Sequence, residues 1–157
     1  MENDKTYLRE AISIAAENAA GTEGGPFGAV IVKENKIIAR GANTVTSAND
    51  PTAHAEVNAI REACKFVKNF SLEGCTLYTS CEPCPMCLSA AYWAGIKKIY
   101  FAAGRNDASE AGFSDSFIYD QIPLPPSKRD VRMEQMLEDE GQKPFKEWLS
   151  NNKRVEY

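Results

Sequence analysis

The chain of 157 residues contains no apolar run of the roughly 18 residues that a membrane span requires. Its start, MENDKTYLRE, lacks the basic-then-apolar order of a secretion signal. Those absences point to a cytoplasmic protein with no membrane partner. Positive charge is short as well: 18 Lys and Arg stand against 22 Asp and Glu, a net charge of −4. The densest basic patches, GIKKIY, SKRD and NNKR, are small and scattered. Nucleic-acid binders usually present a basic face, so no nucleic-acid partner is expected. Repeats, low-complexity tracts and linkers are missing. A single domain over 1–157 is therefore expected, long enough to bury a core without staples. An even cysteine count is missing too. Cys64, Cys75, Cys81, Cys84 and Cys87 are odd in number and clustered, which argues against a disulfide framework and for a metal or redox site.

Histidine is the scarcest of the chemically useful residues, with one copy, His54 in PTAHAEV. Downstream lies CEPCPMC. Cys84 and Cys87 are three apart, and in the first turn of a helix both thiols face one side. The positive end of a helix lowers a thiol pKa, and metals bind the thiolate. One imidazole and two thiolates suit zinc. Three protein ligands leave a fourth tetrahedral position open, where water ionises near neutral pH; that is the mark of a catalytic site. Glu56, two residues past His54, is then placed to carry a proton from water to a substrate nitrogen. Other readings stand beside this one. A lone histidine is often solvated or packed, and a lone CxxC can be a redox pair. Cys81 also forms a CxxC with Cys84, and with Cys87 it would complete a structural site. Cys81, Cys64 and Cys75 otherwise read as packing thiols.

Element signals alternate along the chain. Leu8, Ile12, Ala15, Ala16 and Ala19 recur at helical spacing from Asp4 to Ala20, with Asp4 as N-cap. FGAVIV and IIARGAN flank the turn KENK and predict a hairpin. Asp50-Pro51 predicts the start of a helix running to about Val67. CTLYTS predicts a third strand. Pro83 restarts a helix that is apolar nearly all round and ends at Gly95, so burial is expected. KKIYFAA predicts a fourth strand. DASEAGFSDSFIYDQI mixes a short helix and a loop, and PLPP is a rigid spacer. RDVRMEQML fits a last strand or a helix. KPFKEWLSNN predicts a C-terminal helix. Tyr92 and Trp93 are expected in the core or at a dimer contact. The alternation implies a sheet covered on both faces.

H-x-E followed by P-C-x-x-C is the zinc deaminase signature. HAE at 54–56 and PCPMC at 83–87 resemble the cytidine and deoxycytidylate deaminase superfamily. GGPFGAVIV, NDPTAHAEV, LYTSCEPCPMC and EAGFSDSFIYDQI extend the likeness over nearly the whole chain, most closely to the small bacterial guanine deaminases. Plant guanosine deaminases and tRNA adenosine deaminases share parts of the pattern. The resemblance implies an α/β fold, a three-layer α/β/α sandwich around a five-stranded mixed sheet. It implies zinc on His54, Cys84 and Cys87, Glu56 as proton shuttle, and hydrolysis of guanine, a small-molecule purine base, to xanthine and ammonia.

Residue by residue, the resemblance also places Phe27 against the purine ring and Asn43 in hydrogen bonds to it. Asp115 would contact its polar edge, and Tyr157 would close the pocket. It implies a homodimer in which the C-terminal segment, about 140–157, crosses to the partner. Tyr157 would then serve the neighbouring site. Ser114 departs from the pattern, since relatives often carry a second aspartate there. Deamination of guanosine, cytosine or tRNA adenosine remains open on these residues, as does a non-catalytic zinc-binding domain, although Glu56 has no use in the latter.

Overall fold

The computed structural model describes residues 2–157. The chain divides into two compact units, one through Ser116 and one over Phe117–Tyr157.

The first unit begins with α1 (Glu2–Ala19), which buries Ala11, Ala15 and Asn18, spaced four and three apart as a helical stripe must be. Ile12 lies outside that stripe and is exposed. Asp4 is not the cap expected from the sequence. It lies inside the helix and accepts a hydrogen bond from the Tyr78 hydroxyl at 2.6 Å.

Strands β1 (Gly28–Lys33) and β2 (Lys36–Ala42) form the expected antiparallel hairpin. Its turn residues Glu34 and Asn35 have φ of 49° and 59°. A two-residue turn needs that left-handed pair to match the twist of the strands. A short helix α2 (Val45–Ala48) follows, then α3 (Ala55–Val67), β3 (Thr76–Cys81), α4 (Pro85–Trp93), β4 (Lys98–Ala103) and α5 (Arg105–Glu110).

Two helix starts lie later than the sequence suggested. Asp50 does not cap α3. Its carboxylate accepts from the Thr52 backbone N–H and hydroxyl, closing a turn, and His54 is the N-cap. Helix α4 starts at Pro85 with Cys84 as N-cap, because proline serves best in the first helical turn. That helix is also less enclosed than its apolar composition suggests. Cys87 and Ala91 are buried, while Tyr92 and Trp93 at its end are exposed and do not belong to the core.

The sheet order is β2-β1-β3-β4, with β1 antiparallel to both neighbours and β3 parallel to β4. It is mixed, as expected, but has four strands among the described residues rather than five. RDVRMEQML, which the sequence left open between a last strand and a helix, is irregular. Val131, Met133 and Met136 are exposed there, so no buried face fixes a register. Helix α1 packs on the face that carries Val30, Val32 and Tyr78. Helix α3 packs on the other, over Ala29, Ile31 and Leu77, with α4 beside it. These are the three layers of an α/β/α sandwich.

Glycines permit the close approach on both faces. A Cβ at Gly28 would meet Ala15 N of α1 at 2.7 Å, and one at Gly41 would meet Ala59 N of α3 at 2.6 Å. Helix α6 (Ser116–Gln121) begins on the last residue of the first unit, and the second unit goes on through a 3-10 turn at Pro126–Lys128, α7 (Glu138–Gly141) and α8 (Lys143–Ser150). Within it Arg129 donates to the carbonyls of Leu124 and Ile122. No described helix is long and apolar enough to cross a membrane.

Candidate metal and catalytic centre

Strands β1 and β3 lie side by side, and the helices that carry the centre begin near their ends. His54 caps α3 and Cys84 caps α4, both with extended backbone (ψ 154° and 167°), and Cys87 lies in the first turn of α4. The His54 Nδ1 is 3.6 Å from Cys84 Sγ and 3.4 Å from Cys87 Sγ. The three ligand atoms all lie within 4.8 Å of one another. Zinc bonds of about 2.3 Å to sulfur and about 2.0–2.1 Å to nitrogen, at tetrahedral angles, put N and S about 3.5 Å apart. The donors therefore stand at the separation one zinc ion requires, with Nδ1 as the facing nitrogen.

Electrostatics favour the same state. The Cys84 thiol is held down to about 4, first by a hydrogen bond from Cys87 and then by His54. Cys87 is pushed up, because it shares its proton with the Cys84 thiolate and is desolvated. His54 is raised by its contact with Cys84, while burial opposes. These shifts favour the Cys84 thiolate that a metal ion binds, and ligation would take the second proton from Cys87. Cys81 is outside the cluster; its thiol points to the Gly104 carbonyl at 3.6 Å. The four-ligand set weighed from the sequence is not formed. Cys75 is buried, and Cys64 contacts the Phe70 carbonyl, consistent with packing thiols.

Glu56 lies in the first turn of α3 and is 5% exposed. Burial raises its pKa, and a hydrogen bond from its own backbone N–H opposes that, as do contacts with Cys87 and Thr79. The Thr79 hydroxyl donates to Glu56 Oε1 at 3.2 Å. Burial thus favours the protonated carboxyl more than exposure to solvent would.

The expected substrate contacts divide. Asn43 is buried, and its side-chain oxygen accepts from the backbone N–H of both Gly25 and Val45 at 3.1 Å. The sequence suggested an amide offering both a donor and an acceptor to a ring; the acceptor is spent on the backbone, and Nδ2 is what remains. Asn18, which the sequence reading missed, donates to the carbonyls of Gly25 and Asn43 at 2.6 and 2.9 Å.

Phe27 meets Phe113 edge to face, with ring centres 4.9 Å apart. Asp115 has a buried Oδ1 with no hydrogen-bond partner. Burial raises its carboxyl, the Cys84 charge pushes the same way, and Arg105 opposes. Next to it, the hydroxyls of Ser114 and Ser116 lie 3.0 Å apart. Tyr157 ends the second unit and is exposed.

The sequence profile described as the cytidine and deoxycytidylate deaminase zinc-binding region matches residues 1–103. The chain belongs to the cytidine and deoxycytidylate deaminase family. Within that family it is 52% identical over 155 residues to the guanine deaminase of Bacillus subtilis, covering 99% of both chains. The solved structure of that enzyme superimposes with a TM-score of 0.95 over 98% of each chain. A solved mutant protein in complex with 8-azaguanine is 31% identical, with a TM-score of 0.67, over 71% of this chain and 65% of its own. A tRNA-specific adenosine deaminase of Bacillus subtilis is 42% identical over 103 residues, 66% of this chain and 63% of its own length. For a deaminase of this family the His/Cys/Cys cluster is the zinc site.

Proposed function

We propose that this protein is a zinc-dependent guanine deaminase, hydrolysing guanine to xanthine and ammonia in purine catabolism or salvage. One observation carries the reaction type: the carboxyl of Glu56 is buried beside a His/Cys/Cys cluster that has only three protein ligands. A structural zinc site needs a fourth ligand and no acid. The substrate is supported by the full-length likeness to a guanine deaminase.

His54, Cys84 and Cys87 hold the ion. When bound, zinc supplies Lewis acidity that brings the pKa of a water molecule to about 7. Glu56 takes a proton from the attacking water, gives it to the ring nitrogen, and delivers the second to the departing amine. Phe27, backed by Phe113, forms one wall for the purine ring. Asn43 Nδ2 donates to a ring acceptor. Asp115 accepts from a ring or exocyclic N–H, which its unpartnered Oδ1 supports. Orientation of this kind contributes several kcal/mol, of order 7 or more in the best cases.

The same reading includes a cytoplasmic homodimer that exchanges the segment from about 140 to 157, with Tyr157 closing the neighbouring site. The exposed Phe145 and Leu149 on α8 support it, since an amphipathic helix seeks cover. Light scattering at micromolar concentration tests the dimer; a monomer mass rejects it.

The deciding assay is ammonia release from guanine, guanosine, cytosine, cytidine and adenine, with and without a zinc chelator. Chelator-sensitive release from guanine alone is expected. Turnover of a nucleoside keeps the zinc chemistry and overturns the pocket. Turnover that survives complete metal removal overturns the mechanism.

A further inference from the structure

Thr79 occupies the middle of β3, an interior strand, paired with Ala29 on one side and Phe101 on the other. It is 1% exposed and shares its face of the sheet with Leu77 and Ala29, which belong to the apolar cluster under α3. A valine there would have the same shape and bury more apolar surface. A buried hydroxyl costs stability unless it is hydrogen-bonded. Among the described residues its acceptor is Glu56 Oε1 at 3.2 Å.

Glu56 has few holders. Its own backbone N–H, the Cys87 side chain and Thr79 are the hydrogen-bonding groups around its carboxylate. A thiolate bound to metal has no proton to give, so ligation removes the Cys87 contribution. Thr79 is then the side-chain donor left to fix the carboxylate. Its β-branched side chain on a central strand has little rotamer freedom, so the hydroxyl is held in place by the sheet itself. Strand β3 leads directly into the loop that carries Cys84, so one element sets both a metal ligand and the orientation of the proton carrier.

From this geometry we infer that Thr79 is a positioning residue: it orients the Glu56 carboxylate for proton transfer without touching substrate or metal. The inference rests on Glu56 being the proton carrier of a deaminase. It predicts a defect in turnover rather than in substrate or metal binding, because none of the expected substrate contacts involves Thr79.

The test uses full-length, zinc-loaded protein with Thr79→Val and Thr79→Ser, and Thr79→Val again in a Glu56→Ala background. Thr79→Val is expected to lower kcat on guanine about tenfold, the effect of losing a hydrogen bond to a charged group. KM should stay within about twofold, a pattern that marks an interaction made in the transition state, and zinc per chain should not change. Thr79→Ser should retain most of the turnover, since it keeps the donor.

Melting temperature gives a readout independent of activity. Thr79→Val should lower it when Glu56 is present, because a buried carboxylate loses its partner. In Glu56→Ala the same change should be neutral or stabilising, a coupling that only directly interacting residues show. Unchanged kcat in Thr79→Val overturns the inference. So do equal losses in the Val and Ser variants, a joint fall of kcat and zinc content, or the same melting shift in both backgrounds. Normal turnover by Glu56→Ala alone would instead reject the proton-carrier assignment, and this inference with it.

Discussion

Asn43 shows how much one residue type leaves undecided. The family resemblance suggested ring recognition, and the other reading weighed from the sequence was ordinary turn chemistry. The structure shows the second job, and the proposed function gives the first to a different atom. Its Oδ1 binds the N–H groups of Gly25 and Val45, and that fixes the loop leading to Phe27. Its Nδ2 is the atom to which the proposed function assigns the ring contact. Two substitutions separate the roles. Asn43→Asp keeps the accepting Oδ1 and replaces the Nδ2 donor with a second, charged oxygen. It should leave the melting temperature nearly unchanged and raise KM for guanine at least about tenfold, the cost of turning one hydrogen bond into a repulsion. Asn43→Ala strips partners from two partly buried N–H groups, at about 1–3 kcal/mol each, and should lower the melting temperature as well. If Asn43→Asp binds guanine normally, the amide is a loop fastener only. The zinc ligands were legible because their types and spacing are restrictive. Asn18 and Thr79 were not, because a polar residue in an apolar stretch has meaning only once its face and partner are known.

Whole elements were legible where one local rule dominated. The β1–β2 hairpin follows from alternating apolar runs around a turn that tolerates positive φ. The start of α3 was misread because Asp50-Pro51 satisfies a helix-start rule locally, while Thr52 captures the Asp50 carboxylate in a turn. The displaced start has a consequence: it leaves His54 as the cap, where its ring is free to meet the thiols of α4. The packing of α3 on the sheet depends in turn on Gly41, where a Cβ would meet Ala59 N at 2.6 Å and Ala59 Cβ at 3.0 Å. These neighbours are a helix backbone and its first side-chain atom, so relief requires the whole helix to move. Gly41→Ala should therefore cost about 1–3 kcal/mol as overpacking, or about 2–10 °C in melting temperature for a chain of this size. Because His54 and Glu56 ride on α3, the same variant should hold zinc more weakly in a chelator competition. A melting shift with unchanged zinc retention would mean that the N-terminus of α3 is anchored independently of its packing on β2.

At the scale of the whole molecule, the zinc cluster and two of the four proposed substrate contacts occupy different stretches of chain. The family profile ends at residue 103, and every zinc ligand and Glu56 fall inside it. Asp115 and Tyr157 lie beyond it, in the part that the full-length guanine deaminase likeness covers. That division explains why the zinc chemistry was readable from a short motif. The choice between free base and RNA needed the rest of the chain and its charge. A net charge of −4 with scattered cations gives no electrostatic footprint for a polyanion. Ionic strength therefore discriminates between the two substrates. Guanine is neutral near pH 7, so its capture releases no counterions, and kcat/KM should vary less than about twofold between low and high salt. An enzyme gripping several phosphates would lose affinity by about a thousandfold or more over a fourfold rise in salt. A flat salt profile with guanine, and no retention of tRNA even at low salt, is the expected result. A steep profile, or turnover of a tRNA anticodon stem, would place the selectivity in the shared first two-thirds of the chain and remove the assigned role of the C-terminal stretch.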